Sequence, residues 1–389
     1  MIDYSKVLSD RVQQVKPSGI RKFFDIAAQM DDVISLGVGE PDFETPVQIR
    51  RAGVVSLEKG HTFYTSNWGL ETLRKEISAL AERKYGLTYD PAKEIIVTVG
   101  GSEAIDNALR CLVSAGDEVL IPEPSFVCYT PLTTMAGGVP VPIQTVVEEE
   151  FKLTPERLRA AITPKTKVLI LPYPNNPTGA IMTRSDLEAI AEVLRGTNII
   201  VISDEIYCSL TYATNHVCFA EIEGMRERTI VIDGFSKSYA MTGWRLGWAM
   251  GPRELLTPLC KIHQFGIMSA PTVSQFAGIE AIRSGDEDIA HMRRQYNLRR
   301  RFLVGELNDM GLTCFEPRGA FYVFPSIRST GLTSEEFCNR LVKEQRVAVV
   351  PGSAFGESGE GHVRISYSYS MKHLREACAR MRVFLDSLK

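Results

Sequence analysis

The sequence predicts an α/β fold in which a large three-layer domain with a mostly parallel sheet is joined to a smaller α+β domain. Short apolar runs rich in β-branched residues recur along the chain without alternating polar positions, which is typical of strands buried on both faces. Amphipathic stretches such as 102–114 and 184–195 separate these runs, so helices are expected to cover the sheet. The predicted strands are 94–100, 118–124, 167–174, 199–205, 229–235 and 245–251.

The two predicted domains differ in pattern. Runs and helices alternate from about residue 46 to residue 279, and we assign this range to the large domain. Residues 281–310 are predicted to form one long helix with arginines on its exposed side, a solvated face rather than a nucleic-acid site because acidic residues flank it. Those arginines are Arg293, Arg294, Arg299, Arg300 and Arg301. Apolar runs then return at 320–327, 347–355 and 361–368. The ranges 1–45 and 280–389 are therefore assigned to the small domain.

Composition excludes several classes of partner. The 389 residues include 44 Lys plus Arg against 47 Asp plus Glu, a net charge of −3, which argues against a general nucleic-acid or anionic membrane surface. The uncharged stretch 125–147 contains three prolines and two glycines, which a membrane-spanning helix would not tolerate. The eight cysteines form no C-x-x-C pair, and the N-terminus lacks an apolar signal segment. We predict a reduced cytoplasmic protein without a metal site.

Several chemically capable residues follow predicted strands, where ligands of open α/β sheets bind. Gly101, Ser102 and Glu103 open a predicted helix after the first strand, either as an anion site or as an ordinary strand-to-helix turn. Asp204 ends another strand, with Tyr207 three residues later. The carboxylate of Asp204 could hold a cation, a metal or a protonated ring nitrogen, or it could cap a helix.

Three further residues complete the set. Lys237 follows an apolar strand and suits an imine-forming amine if its pKa is depressed, although a surface-loop lysine is the alternative. Asn176 lies in a turn-forming segment, and Arg364 lies in an apolar strand, where it needs a carboxylate from a substrate or from a structural salt bridge. Together these residues match the requirements of pyridoxal phosphate. They supply an acid, a phenol, an amide, an amine, an anion site and two arginines, of which the second is Arg245.

At these motifs the chain resembles the class I/II (fold type I) pyridoxal-phosphate aminotransferases. The resemblance runs nearly end to end and is closest to the prokaryotic branch with aromatic, aspartate and N-acetyl-diaminopimelate aminotransferases. The motifs that carry it are LGVGEPDF (36–43), YPNNPTG (173–179), SDEIY (203–207), FSKSYAMTGWRLGW (235–248) and GHVRISYS (361–368).

The resemblance implies the chemical roles. Lys237 would bind the cofactor covalently and later carry the proton between the substrate Cα and the cofactor. Asp204 would keep the pyridine nitrogen protonated, and Tyr207 and Asn176 would bind the phenolic oxygen of the ring. We expect a lowered pKa for Asp204 beside that cation, and a lowered pKa for Lys237 from burial and nearby cationic groups.

The resemblance also implies the binding roles. Phe126 would stack on the ring, and Arg364 would hold the substrate α-carboxylate with help from Asn176 and the backbone of Gly39. Tyr64 would reach the phosphate of the neighbouring subunit, which implies a homodimer with shared active sites. The phosphate itself is expected to contact Gly101, Ser102, Glu103, Ser236 and Arg245.

The predicted function is a cytoplasmic aminotransferase that moves the amino group of an L-amino acid, aromatic or otherwise neutral or dicarboxylic, to a 2-oxo acid such as 2-oxoglutarate in a ping-pong cycle. Many relatives have Ser or Thr where this chain has Gly234, and no arginine is assigned to a distal substrate carboxylate. The segment around Ile20, Thr65, Ser66 and Trp68 suggests an apolar or mixed pocket. A carbon–sulfur β-lyase on the same scaffold is the alternative, and a cofactor-sensing regulator would need an added DNA-binding domain.

Overall fold

The computed structural model describes residues 2–17, 19, 30–212 and 215–389, and a seven-stranded sheet lies at its centre. The strands are β1 (Ile34–Ser35), β2 (Ile95–Thr98), β3 (Glu118–Glu123), β4 (Val139–Gln144), β5 (Thr166–Leu171), β6 (Ile200–Asp204), β7 (Thr229–Gly234), β8 (Gly247–Met250), β9 (Tyr322–Val323), β10 (Val347–Ala348), β11 (Val350–Pro351) and β12 (Val363–Ser366). The order in the large sheet is β2-β8-β7-β6-β5-β3-β4. The five strands β7, β6, β5, β3 and β4 run parallel to one another. Strand β8 is antiparallel to both of its neighbours, β2 and β7. The predicted fold class is confirmed.

Helices cover both faces of this sheet. They are α1 (Asp10–Gln14), α2 (Val47–Glu58), α3 (Glu71–Tyr85), α4 (Gly100–Leu112), α5 (Tyr129–Ala136), α6 (Pro155–Ala161), α7 (Arg184–Leu194), α8 (Phe235–Ser238), α9 (Arg253–Gly266), α10 (Thr272–Ser284), α11 (Asp286–Asp309), α12 (Ser334–Gln345) and α13 (Met371–Asp386). On β7, Ile230 and Ile232 pack with α4 and α9, whereas Val231 packs on the other face with α3 and α10. Successive side chains of one strand therefore belong to different layers.

Strand β4 was not predicted, because its sequence VPVPIQ contains Pro140 and Pro142. Proline cannot donate a ladder hydrogen bond, so it is confined to edge strands and bulges. β4 lies at the edge of the sheet and pairs in parallel with β3 alone. The edge position explains why these prolines do not prevent a strand.

The prediction of one helix over residues 281–310 is wrong, because α10 ends at Ser284 and α11 begins at Asp286. Gly285 separates them, and a Cβ atom there would lie 2.6 Å from the carbonyl oxygen of Ala281 and 2.8 Å from Tyr239 Cε1. The close approach of the backbone therefore requires glycine. The first turn of α11 is acidic, which suits the positive end of its dipole.

Two arginines of α11 are not on an exposed face, contrary to the sequence interpretation. Arg299 and Arg300 are buried. Arg299 pairs with Asp42 at 2.7 Å, and Arg300 pairs with Glu316 at 2.7 Å. These ion pairs connect α11 to the segments around residues 42 and 316, so this face of the helix is packed although its sequence is rich in charge.

Smaller sheets connect the beginning of the chain to its C-terminal part. β9, β12 and β11 form an antiparallel three-stranded sheet, and β1 pairs in parallel with β10. Backbone hydrogen bonds from Ile34 to Arg346 and from Leu36 to Ala348 are both 2.8 Å long. These hydrogen bonds support a small domain built from both ends of the chain. The boundaries at residues 45 and 280 stay a prediction. In the described ranges, no helix is long and apolar enough to cross a membrane.

Candidate active site

A cavity of about 330 Å³ lies beyond the carboxyl ends of the parallel strands. Asp204 ends β6, and Lys237 follows β7 by three residues. Because parallel strands end at the same edge of a sheet, residues distant in sequence meet there. The predicted site residues that line the cavity are Gly39, Gly101, Ser102, Phe126, Asn176, Asp204, Tyr207, Ser236, Lys237, Arg245 and Arg364.

Lys237 lies in α8, a single helical turn at the wall of the cavity, and not in a surface loop. Its Nζ atom donates a hydrogen bond to the carbonyl oxygen of Gly39. Burial lowers the pKa of Lys237 to about 8, and the positive charges of Arg364 and Arg245 act in the same direction, against Glu40. The predicted direction of the shift is confirmed. A substantial fraction of this amine is therefore neutral near physiological pH, as a nucleophile or general base requires.

Asp204 is 6% exposed and accepts two hydrogen bonds. Oδ2 accepts from the phenol of Tyr129 at 2.7 Å, and Oδ1 accepts from the backbone N–H of Ile206 at 3.2 Å. Turns follow Asp204, so this residue does not cap a helix. Burial raises the pKa of Asp204 to about 6, and the two hydrogen bonds oppose that rise.

The expectation of a lowered pKa for Asp204 concerns a carboxylate beside a cationic ring nitrogen, and it stays a prediction. That expectation assumed a cation beside the carboxylate, but the groups that lower its pKa are the hydroxyl of Tyr129 and the amide of Ile206. Removing a carboxylate from water without a positive partner disfavours its charged form. A cationic group in the cavity would supply the missing partner, which makes Asp204 a suitable contact for a protonated ring nitrogen.

Two tyrosines of the site had not been identified from the sequence. Tyr129 begins α5 and reaches Asp204, and the hydroxyl of Tyr322 in β9 lies 2.8 Å from that of Tyr207. Both line the cavity. Neither belongs to a strand-end motif. Tyr129 lies three residues after Phe126, and Tyr322 lies in an apolar run that indicated only a buried strand.

Arg364 extends from β12 and is 3% exposed. Nη1 donates to Oδ1 of Asn176 at 2.8 Å, and Nη2 donates to the carbonyl oxygen of Gly37 at 2.6 Å. Its Nε atom is buried without a hydrogen-bond partner. None of the ion pairs in the described part of the chain involves Arg364, so the structural salt bridge considered from the sequence is not formed there. A buried guanidinium with an unused donor fits a ligand carboxylate.

Another part of the cavity wall has the features of an anion site. α4 begins at Gly100, and no side chain caps its first turn, which leaves backbone N–H groups and the positive end of the helix dipole for a ligand. Gly100 has φ +78°, and a Cβ atom there would lie 2.7 Å from Nη2 of Arg245. Gly101, Ser102 and Ser236 line the same cavity. Helix start, hydroxyls and guanidinium together fit a phosphate group.

The side chain of Glu103 does not line this cavity. Its carboxylate contacts Nδ1 of the buried His263 at 2.6 Å and Nδ2 of Asn107 at 2.9 Å, and it accepts from the backbone N–H of Val99. Glu103 thereby links the beginning of α4 to α9. Its backbone contact with a phosphate stays a prediction.

Tyr64 also lies outside the cavity. Its side chain is 81% exposed, next to the equally exposed Phe63, so a role toward a neighbouring subunit stays a prediction. For the suggested substrate pocket, Ile20 lies outside the described residues. Thr65 and Ser66 are not in the cavity lining, and nor is Trp68.

Comparison with known proteins agrees with this site. The family model described as aminotransferase class I and II matches residues 31–381. A putative aminotransferase of Bacillus subtilis, YugH, is 51% identical, with 97% of this chain and 98% of the relative covered. An aspartate aminotransferase of Pyrococcus abyssi is 45% identical over 98% of this chain and 99% of its own. The structure of an aromatic aminotransferase from Pyrococcus horikoshii matches with a TM-score of 0.90 at 43% identity, covering 94% of this chain and 99% of that one.

Proposed function

Because the chain belongs to the class I and II aminotransferase family, whose members use pyridoxal phosphate, we propose that it transfers the amino group of an L-amino acid to a 2-oxo acid in a ping-pong cycle. Aromatic, other neutral or dicarboxylic amino acids are the proposed donors, and 2-oxoglutarate is the proposed acceptor. The observation that carries this proposal is the convergence of Lys237, Asp204 and Arg364 on one cavity. An amine, an acid and a carboxylate-binding cation are the groups that the reaction needs.

The residues present fit the cofactor at both of its polar ends. Asp204 offers a buried carboxylate that lacks a cationic partner, and the start of α4 with Arg245 offers an uncapped anion site. Phe126 lines the same cavity, and Tyr207 and Asn176 supply hydrogen-bonding groups. When bound, pyridoxal phosphate supplies the ring that accepts the electron pair left when the substrate Cα loses its proton.

Lys237 is the proposed proton carrier. The pKa of about 8 favours the neutral form of its Nζ atom. This atom can accept the proton from the substrate Cα and then donate it to the cofactor. The carbonyl of Gly39 holds the amine at the cavity wall through a hydrogen bond. Burial matters twice, because it makes the amine available as a base and excludes water from the reacting atoms.

Arg364 is the proposed site for the substrate α-carboxylate. Its two Nη atoms are held by Asn176 and Gly37, which fixes the plane of the guanidinium. Ring contacts from Tyr322 at 4.5 Å and Phe355 at 4.8 Å hold the same plane from its faces. A fixed guanidinium orients the carboxylate and hence the Cα–H bond, which lowers the entropic part of the barrier.

We further propose a homodimer with shared active sites, on the strength of the exposed aromatic side chains of Phe63, Tyr64 and Phe265. Exposed apolar groups of this size are typical of subunit interfaces. The division into a large domain at 46–279 and a small domain at 1–45 and 280–389 is proposed as well. All eight cysteines are free thiols, which supports a reducing, cytoplasmic location.

The test is the absorption spectrum of the purified protein with pyridoxal phosphate, recorded before and after single amino acids are added. A donor should convert the bound cofactor to its amine form, and 2-oxoglutarate should reverse the change. Release of pyruvate and ammonia from a cysteine conjugate without any 2-oxo acid would instead indicate the β-lyase. Failure to bind pyridoxal phosphate would refute the proposed reading of the cavity.

A further inference from the structure

A second cluster of ionisable groups lies outside the active-site cavity. Lys84 in the last turn of α3 approaches Cys208, which follows Tyr207 in the turn after β6, and Nζ and Sγ are 2.7 Å apart. The same Nζ atom lies 2.9 Å from Oγ of Ser209. These residues line a cavity of about 370 Å³ whose lining shares no residue with the active-site cavity.

The distance between the two reactive atoms is unusually short. Ordinary N–H···O hydrogen bonds join atoms about 2.7–3.2 Å apart, and contacts with sulfur are longer because sulfur is the larger atom. The nitrogen of Lys84 and the sulfur of Cys208 are at the short end of the oxygen range. Two single bonds through one bridging oxygen atom span a separation of this size, so little movement of either side chain would be needed to link them.

The thiol of Cys208 also forms a hydrogen bond to a neighbouring carboxylate. Sγ of Cys208 donates to Oδ2 of Asp233 at 3.2 Å. Burial raises the pKa of Asp233 to about 6 and that of Cys208 to about 12, whereas the charge of Lys84 lowers both. Glu205 adds a further negative charge to the surroundings, and burial likewise raises the pKa of Tyr85 beside it. Among the groups around this sulfur, the charge of Lys84 favours the thiolate, which is the form of cysteine that reacts with peroxides.

We propose that Lys84 and Cys208 form an oxidative modification site, at which hydrogen peroxide links Nζ to Sγ through one oxygen atom. The nitrogen and the sulfur each lose two electrons, and two molecules of hydrogen peroxide take up those four electrons. One peroxide oxygen becomes the bridge, and the other three leave as water. The ammonium group keeps one hydrogen on nitrogen and releases one proton to solvent, which balances the charge.

The link would join two separate parts of the fold. Lys84 and Cys208 are 124 positions apart in sequence, and Cys208 is adjacent to Tyr207 of the active-site cavity. The bridge would fasten the C-terminal end of α3 to the turn that follows Asp204. A crosslink across so long a segment restricts the unfolded chain, so the linked protein should unfold at a higher temperature than the reduced protein.

The experiment treats the pyridoxal-phosphate-loaded enzyme with hydrogen peroxide and analyses proteolytic fragments by mass spectrometry. The expected product is a pair of peptides containing Lys84 and Cys208, joined with a gain of one oxygen and a loss of two hydrogens. Dithiothreitol should restore the separate peptides. Cys218 is fully buried, and no lysine is among the groups that affect its pKa, so it serves as an internal control that stays unlinked.

Two variants sharpen the result. Lys84→Arg keeps a positive charge beside Asp233 but lacks the primary amine, and Cys208→Ser removes the sulfur, so neither should form the link. Three outcomes would overturn the proposal. They are a Cys208 oxidised to its sulfinic acid without a crosslink, a Cys208 left unmodified while other cysteines react, and a direct S–N bond lacking the added oxygen. The wild-type measurement alone decides between these outcomes, even if a variant fails to fold.

Discussion

The phenol of Tyr129 donates a 2.7 Å hydrogen bond to Oδ2 of Asp204, and both side chains are buried. This bond connects the first residue of α5 to the last residue of β6. With the backbone N–H of Ile206 on the other oxygen, the carboxylate is oriented by two donors. Asp204 therefore faces the cavity in a fixed position, although burial disfavours its charge.

Removal of that phenol should weaken the anionic form of Asp204. A hydrogen bond to a charged group contributes about 1.5–3 kcal/mol, so Tyr129→Phe should lower kcat/KM of transamination by roughly tenfold to a hundredfold. Tyr89→Phe is the matched control, because the buried hydroxyl of Tyr89 has no hydrogen-bond partner. Steady-state kinetics and cofactor affinity of both variants test this. Equal kcat/KM and equal cofactor affinity of Tyr129→Phe and the wild type would show that the hydrogen bond to Asp204 is dispensable.

Lys237→Ala should keep the fold and lose transamination by orders of magnitude, because no other amine lies on the described cavity wall. Circular dichroism and thermal unfolding report on the fold, and single-turnover assays report on the chemistry. Lys261→Ala provides a control on the exposed side of α9 and should behave as the wild type. Near-wild-type turnover in Lys237→Ala would end the assignment of this lysine.

The pKa of about 8 for Lys237 predicts a pH dependence. Attack on an aldehyde needs the neutral amine, so the rate at which pyridoxal phosphate recombines with the cofactor-free protein should rise with pH and level off above about 8. The same pKa shift also determines how the stability of the folded protein depends on pH. The folded pKa lies below the unfolded 10.5, so the charged lysine destabilises the folded protein fully below pH 8 and progressively less up to 10.5. A rate midpoint near 10.5 would mean that the amine is solvated.

Arg364→Lys should raise KM for the amino donor more than it lowers kcat. Lysine keeps the charge but cannot form the planar pair of hydrogen bonds to a carboxylate, and the lost charged bond is worth about 1.5–3 kcal/mol, or roughly tenfold to a hundredfold in kcat/KM. Arg340→Lys is the control, since Arg340 pairs with Glu344 at the surface. An unchanged KM would place the carboxylate elsewhere.

Gly247→Ala tests the contact between β8 and the anion site. A Cβ atom at Gly247 would lie 2.7 Å from the backbone of Gly100 and Gly101, so the substitution forces the two segments apart. We expect a loss of about 1–3 kcal/mol in the free energy of unfolding and weaker cofactor binding, measured by urea unfolding and by titration. Gly243→Ala is the control, because its Cβ would meet nothing within 4 Å. Equal stability of the two variants would contradict the proposed crowding.

Sequence analysis identified those residues of the cavity that lie at or near the ends of strands. Lys237, Asp204 and Arg364 each break an apolar pattern with a charge, and that conflict with burial marks them as functional. Tyr129 and Tyr322 break no pattern, since an aromatic residue fits a buried helix or strand equally well. Their part in the site depends on tertiary packing, which periodicity does not report.

Errors in the predicted fold also arise from tertiary structure. β4 was missed because its prolines are compatible with an edge strand only, and edge positions are not visible in sequence. Gly285 interrupts a helical pattern because of a contact with Tyr239 from another part of the chain. The buried Arg299 resembled a surface charge until its partner Asp42 was known. In each case, a long-range contact decided the outcome.

Arg364 lies in β12 of the three-stranded sheet, whereas Lys237 lies in α8, which directly follows β7 of the seven-stranded sheet. The residue proposed to bind the substrate carboxylate and the residue proposed to move the proton thus depend on different sheets for their positions. Mutations in the three-stranded sheet should therefore raise KM for amino donors in general before they impair turnover. Mutations around β7 should do the reverse, which gives an engineer two nearly independent controls over one enzyme.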